Sequence, residues 1–250
     1  MRAAAPRIQA RQLLCIEAGL SESIRSLASV ADNSIDLQIA HFVADASDMM
    51  RVLAAKRTSL ARGEADMTSI DDLTRMMYSL AHETGVRLDH CNTLPRLRRV
   101  ALSRHPTTEW PASATRTTVL VSDSIWATRI WITYHMCHLT IMDRLLQSQG
   151  HGMSPDCHED GLDATTSGLH TPSLLSALNA SIDYLLDVVP FLTGLIDIYG
   201  KPGVGQPNDT GLLIAQYPLW TIEHSLSAKQ NAKHEASQLQ RFIVRQRRLL

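Results

Sequence analysis

Residues Ser124–Leu146 read SIWATRIWITYHMCHLTIMDRLL, with two tryptophans, two histidines and a cysteine. Whether this is a metal-binding helix or the inside of a helical protein decides how the rest of the chain is read. On a helical wheel Trp126, Ile130, Tyr134, Cys137, Ile141 and Leu145 share one side, and Trp131, His135, His138 and Met142 widen it. Arg129, Thr133, Thr140 and Asp143 take the remaining sector. An apolar arc of more than half the circumference predicts a central helix packed on several sides. His135 and His138, three residues apart, could meet one metal, with further ligands from His151, Cys157, His158 or His170 in the segment that follows. However, HMCH is not HExxH, and no ligand pair elsewhere has zinc-site spacing. The helix reads as core, with His138 a hydrogen-bonded core histidine, His135 at the margin and Cys137 an inert packed thiol. No metal ligand or cofactor is assigned. A metal-dependent helical biosynthetic enzyme using His135 and His138 is the alternative.

The surrounding composition agrees with a helical globular protein. The 250 residues carry a formal charge of −1, and 44% are hydrophobic and 20% charged. Such a balance supplies no global field toward nucleic acid or anionic membranes, and an aromatic content of 5% offers little for stacking on bases. Cys15, Cys91, Cys137 and Cys157 form no CxxC pair, which points to free thiols in a reducing compartment. No apolar run reaches the ~20 residues of a membrane span, so no membrane association is expected. The Arg- and Ala-rich N-terminus faintly resembles a mitochondrial transit peptide but equally begins an ordinary helix.

Helical periodicity dominates and no strand alternation stands out. After Ser34, an N-cap, the residues Ile35, Ile39, Phe42, Ala46, Met49 and Leu53 trace an amphipathic helix ending near Gly63. A second helix starts at Ser69, where Asp72 approximates a capping box, and buries Ile70, Leu73, Met76 or Met77, and Leu80. PTTEWPASATR (106–116) is a loop, and the opening helix follows it. Residues 148–172 form a flexible connector without apolar period. Thr171-Pro172 then starts a helix with the stripe Leu174 or Leu175, Leu178, Ile182, Leu185 and Val189, which Pro190 should end or kink. A Gly/Pro loop precedes a helix over about 210–226, and HEASQLQRFIVRQRRLL closes the chain. The expected fold is all-α: a multi-helix array forming one domain over 1–250, with helices over 1–147 and 173–250 on either side of the connector.

No catalytic set emerges. Asp71-Asp72 opens a helix, where acids answer the dipole, and Arg75 takes the last place of a DDxxD motif. GKPGVGQPNDTG lacks the ending of a phosphate loop, and no GxSxG elbow occurs. Ser154, Cys157 and His158 sit in the connector without neighbours to orient them. Two basic clusters remain: Arg96, Arg98, Arg99 and Arg104, and Arg241, Arg245, Arg247 and Arg248.

The order of these segments resembles a family. Leu88-Asp89 and Glu109-Trp110-Pro111 precede the opening helix. IDYLLDVVPFLTG (182–194) and GLLIAQYPLWTIEHSL (211–226) come after the connector. This is similar to the C-terminal helical region of fungal binuclear zinc-cluster transcription factors. Trp126, Trp131, Tyr134, Asp187, Val189-Pro190-Phe191, Gly194, Gly211 and Pro218-Leu219 fall on matching positions. His135 replaces the family's usual arginine and Tyr217 a tryptophan. The six-cysteine zinc cluster is absent from this sequence, so DNA contact is expected only through a segment not found here.

The resemblance implies a non-enzymatic regulatory domain of transcription, in the nucleus with the cytoplasm as second choice. It would act through protein partners or as a homodimer, and through a small apolar effector. Trp126, Trp131 and Trp220 are candidates for an effector pocket or for core. Arg241, Arg245, Arg247 and Arg248 are candidates for partner contact.

Overall fold

The computed structural model describes residues 35–63, 67–102, 116–150, 171–201 and 209–247. They form six helices and one small sheet in the order α1 (Ile35–Ala61), α2 (Met67–Asp89), β1 (Arg98–Ala101), β2 (Thr118–Val121), α3 (Ile125–Gly150), α4 (Thr171–Leu192), α5 (Asp209–His224) and α6 (Gln230–Arg247). The all-α class holds. The ends expected for the connector are helical, since α3 reaches Gly150 and α4 starts at Thr171, while residues 151–170 lie outside the described residues, as does the loop 106–115.

The described residues fall into two compact units. One holds those up to Cys91 and Cys137–Ala177, and the other holds Asn92–Met136 and those from Leu178 onward. In the first unit α1 packs on α2. The buried stripe of α1 runs through Ile35, Ile39, Phe42, Ala46, Met50 and Leu53. Met50, not Met49, continues it, because a step of four from Ala46 keeps closer to one face than a step of three. On α2 the choice falls on Met77, which is fully buried, whereas Met76 stands exposed and Leu80 is only half-buried.

The second unit contains the feature that periodicity missed. β1 and β2 pair antiparallel, with Arg98 opposite Val121, Arg99 opposite Leu120, Val100 opposite Val119 and Ala101 opposite Thr118. Each strand has four residues, too short to show alternation. β2 (TVLV) is an apolar run of mostly β-branched residues, which suits a pleated surface. β1 (RRVA) reads as a basic cluster. Leaving β2, Ser124 caps α3: its Oγ accepts a hydrogen bond from the Ala127 amide at 3.2 Å.

Ile130, Trp131, Ile132, Tyr134, Met136, Cys137, Leu139, Ile141, Met142 and Leu145 of α3 are buried, as a central helix requires. Two positions depart from the wheel. Trp126 is 37% exposed, and Asp143, expected on the polar sector, is buried. Asp143 accepts a hydrogen bond from the Gln147 amide nitrogen at 2.9 Å one turn on, which offsets its desolvation.

Pro190 neither stops α4 at once nor stands alone at its end. The helix continues to Leu192 and closes with a Schellman motif. The Leu195 amide donates to the Pro190 carbonyl at 3.1 Å and the Gly194 amide to the Phe191 carbonyl at 3.1 Å. Gly194 takes the left-handed conformation this closure needs, at φ 72°. α5 then approaches α4 so closely that a Cβ on Gly211 would lie 1.7 Å from the Leu192 carbonyl oxygen. α6 packs along α5 with Ala236, Leu239, Phe242 and Ile243 buried.

By length and composition α4 is the one helix among the described residues that could cross a membrane, and 56% of its apolar window is buried inside the protein, as in a core helix.

Candidate functional site

Within the second unit α4 is apolar except for a few side chains, and two of these are aspartates four residues apart, Asp183 and Asp187. A carboxylate buried on such a helix needs a cation. Asp187 is 4% exposed and has two. Arg99 from β1 donates to its Oδ2 at 2.5 Å, and Arg116, just before β2, donates to its Oδ1 at 2.5 Å. Arg116 also reaches α6, through Nε to Glu235 Oε1 at 2.8 Å and Nη2 to Glu235 Oε2 at 3.3 Å. It returns to α4 at Asp183 Oδ1, at 3.3 Å. Arg99 adds a bond to Thr118 Oγ1 on the paired strand at 2.9 Å.

One guanidinium thus joins the sheet, α4 and α6, using its planar fork on two carboxylates. Burial by itself pulls the Arg116 pKa down. The hydrogen bonds and charges of Glu235 and Asp187 outweigh it, so the group lies above the ordinary arginine value. Arg116 stays charged at any accessible pH.

Beside this network lies an aromatic stack. The His135 ring stands 3.8 Å from Tyr184 at 25° and 6.2 Å from Trp131 at 29°, with Tyr134 edge-on at 5.0 Å. His135 Nδ1 is 3.2 Å from Ser181 Oγ. The Trp131 indole N–H donates to the Pro95 carbonyl at 3.2 Å. Trp131 is therefore a buried residue with its polar handle satisfied. Trp220, half-buried, stacks on His224 at 4.2 Å and 22°, and the His224 Nδ1 bonds the Trp220 carbonyl oxygen at 2.8 Å. Trp126 reaches solvent at the start of α3. The three tryptophans expected to share a role occupy three different settings.

His138 belongs to the first unit. Burial, with the positive charge of His82 as a smaller cause, lowers its pKa to about 4, so it is neutral at physiological pH. Burial pushes the Cys137 thiol up to about 12, which makes it a poor nucleophile. Among the described residues no three His, Cys, Asp or Glu side chains gather into a group able to hold a metal. His151, Cys157, His158 and His170 lie outside the described residues.

On α6, Arg241 and Arg245 are exposed, with Val244 exposed between them. Arg247 lies in the helix, and Arg248 lies outside the described residues.

Sequence reasoning missed Arg116, Asp183, Tyr184 and Glu235. The usable signal was the pair of acids in IDYLLDVVPFL, which demands a partner from elsewhere in the chain. Comparison of the chain with protein-family models, curated proteins and solved structures gives no match in any of the three.

Proposed function

We propose that this chain is a non-enzymatic regulatory domain of the kind found in fungal zinc-cluster transcription factors, acting through protein contacts in the nucleus. One observation carries the reading: several of the resembling positions, though not exposed Trp126, fall where the fold is most demanding of residue type. Asp187 is the centre of the ion network. Pro190 and Gly194 build the closure of α4. Gly211 occupies a contact with no room for a side chain, and Trp131 and Tyr134 belong to the aromatic stack. Likeness at such positions is likeness of a folding framework rather than of surface composition. A framework similarity is weaker ground for function than a site, so function needs its own test.

The partner contact in this reading is the outer face of α6, where Arg241 and Arg245 flank exposed Val244. That mixture suits an acidic and apolar partner surface or a second copy of the chain. Removing α6 is a poor test, because the same helix buries Leu239, Phe242 and Ile243. The sharper experiment tethers the full chain to an unrelated DNA-binding domain upstream of a reporter. Transcription is expected to change on tethering and to revert with Arg241→Glu and Arg245→Glu together. Unchanged transcription with the wild-type chain overturns the regulatory reading. A response indifferent to the double substitution overturns only the assignment to α6. A small apolar effector would shift the reporter response without altering expression of the fusion.

A further inference from the structure

Of the tryptophan, tyrosine and phenylalanine side chains among the described residues, two are exposed: Trp126 in the first turn of α3 and Tyr199 in the turn that follows α4. Arg98 of β1 brings their two segments together. Its Nη2 donates to the Ile198 carbonyl at 3.0 Å and stands 3.7 Å from Asp123 Oδ1. The turn is seated on the strand, since a Cβ on Gly200 would lie 2.5 Å from the Ala101 carbonyl oxygen. Within the turn, Asp197 Oδ1 accepts from the Tyr199 amide at 2.8 Å and from the Lys201 amide at 2.9 Å. Tyr199 is therefore held out from a braced turn, 68% exposed. Ile125, beside Trp126, is exposed as well.

A lone exposed apolar residue is ordinary, but two aromatic side chains and an isoleucine gathered around one arginine have the composition of a binding surface. Charge selects the occupant. Arg96, two residues before β1, Arg98, Lys201 and Arg129 are all exposed. Arg129 lies three residues after Trp126, on the same side of α3. Against these cations stand the acids Asp123 and Asp197, and one oxygen of Asp197 is already taken by the two amides. The Arg98–Asp123 contact is longer than a hydrogen bond and both side chains are solvated. Such a contact is readily exchanged for an incoming carboxylate.

We propose that this end of the second unit is a docking surface for a short acidic segment of another protein, one that carries a large apolar side chain beside its carboxylates. The apolar side chain packs on Trp126, Tyr199 and Ile125, and the carboxylates meet Arg98 and Lys201. A second copy of the chain fits less well, because an interface made of the same surface on both partners sets these cations against one another. A phosphate backbone answers the cations but offers Ile125 no apolar contact. The surface uses no residue of α6, so the proposal is independent of the regulatory reading and either can fail without the other.

The test selects a random peptide library displayed on phage against the full chain, with counter-selection on a variant carrying Tyr199→Ser and Lys201→Glu, both at exposed positions of the turn. The enriched peptides are expected to combine several acids with a tryptophan, phenylalanine or leucine. The strongest of them, labelled with fluorescein, should bind the wild type saturably by anisotropy. Trp126→Ser should weaken that binding, and the double turn variant should weaken it by about tenfold or more. Circular dichroism checks that the variants keep the helical signal, and if Trp126→Ser does not, the turn substitutions carry the test. Arg241→Glu together with Arg245→Glu should leave the affinity unchanged. No enrichment over the variant, enriched peptides without acids, or loss of peptide binding through the α6 charges overturns the proposal. Vesicles of phosphatidylserine and phosphatidylcholine, a DNA duplex and sedimentation of the chain alone complete the set. Binding or self-association there that the turn variant abolishes assigns the surface to lipid, nucleic acid or a second copy, and overturns the proposal as well.

Discussion

Arg116 and Asp187 stand 71 positions apart in the chain and meet at 2.5 Å, with side-chain exposures of 15% and 4%. Arg99 binds the other oxygen of the same carboxylate from a side chain that is 54% exposed. The two arginines thus share one acid but stand in different media, and the difference decides what each is worth.

Asp187→Asn should be the most damaging change in this cluster. It removes the negative charge while keeping the shape, and leaves the largely buried Arg116 cation with only Glu235 and the exposed Asp183 to answer it. Breaking a buried pair this way costs about 3 kcal/mol. Arg99→Gln should cost roughly 1 kcal/mol or less, because its end of the pair is solvated. Urea unfolding of the two variants and their double mutant measures both. Equal losses for Asp187→Asn and Arg99→Gln would remove Arg116 from the centre of the network.

The helices were legible because the buried stripes of α1, α2 and α4 repeat over several turns, long enough for periodicity to rise above noise. Met50 and Met77 were ambiguous by one residue, since adjacent methionines differ by only ~100° on the wheel. The strands were not legible. Four residues give two alternations at most, and RRVA signals charge before it signals pleat. The ion network was half legible: an acid on an apolar helix announces that a partner exists, but nothing local names Arg99 or Arg116, which arrive by tertiary pairing alone. Asp143 and Trp126 show the limit of a helical wheel, which fixes direction along a helix but not which neighbours cover its first turn or its polar side.

Gly211→Ala should be poorly tolerated for a reason distinct from helix propensity, which would favour alanine by about 1 kcal/mol. The added carbon would overlap the Leu192 carbonyl, a backbone atom that cannot swing aside. α5 would have to lift from the end of α4, at about 2–3 kcal/mol of overpacking. A lowered urea midpoint with an unchanged slope is the expected signature. A rise in stability would mean that the approach of the two helices is looser than described.

The two described free cysteines should label at very different rates. Cys137 is buried with its thiol pushed up to about 12, whereas Cys91 is half-buried at the end of α2. Access favours Cys91, and the raised pKa leaves Cys137 with little of the reactive thiolate. Brief alkylation of the native chain near neutral pH, followed by peptide mass spectrometry, should leave Cys137 unmodified until denaturant is added. Rapid native labelling at Cys137 would show that the middle of α3 opens on the timescale of the reaction.

His138 gives the fold an acid limit. Its folded pKa of about 4 lies below the ordinary 6.5, so between those values the unfolded chain binds a proton that the native state refuses. Stability then rises with pH across this interval. The contribution is complete above about pH 6.5 and is lost progressively as pH falls toward 4. Between pH 7.5 and pH 5 the loss amounts to about 2 kcal/mol, given 1.36 kcal/mol per unit of pKa difference. His138→Gln keeps a polar side chain of similar reach and removes the titration. Urea unfolding at the two pH values should therefore show a smaller acid loss for the variant than for the wild type, by roughly that amount. Other groups contribute equally to both proteins and cancel in the difference, except His82, whose charge opposes protonation of His138 and disappears from the coupling in the variant. An identical acid loss in the two proteins would mean that His138 is protonated in the native state as readily as in the unfolded chain, and that its burial excludes less water than its position implies.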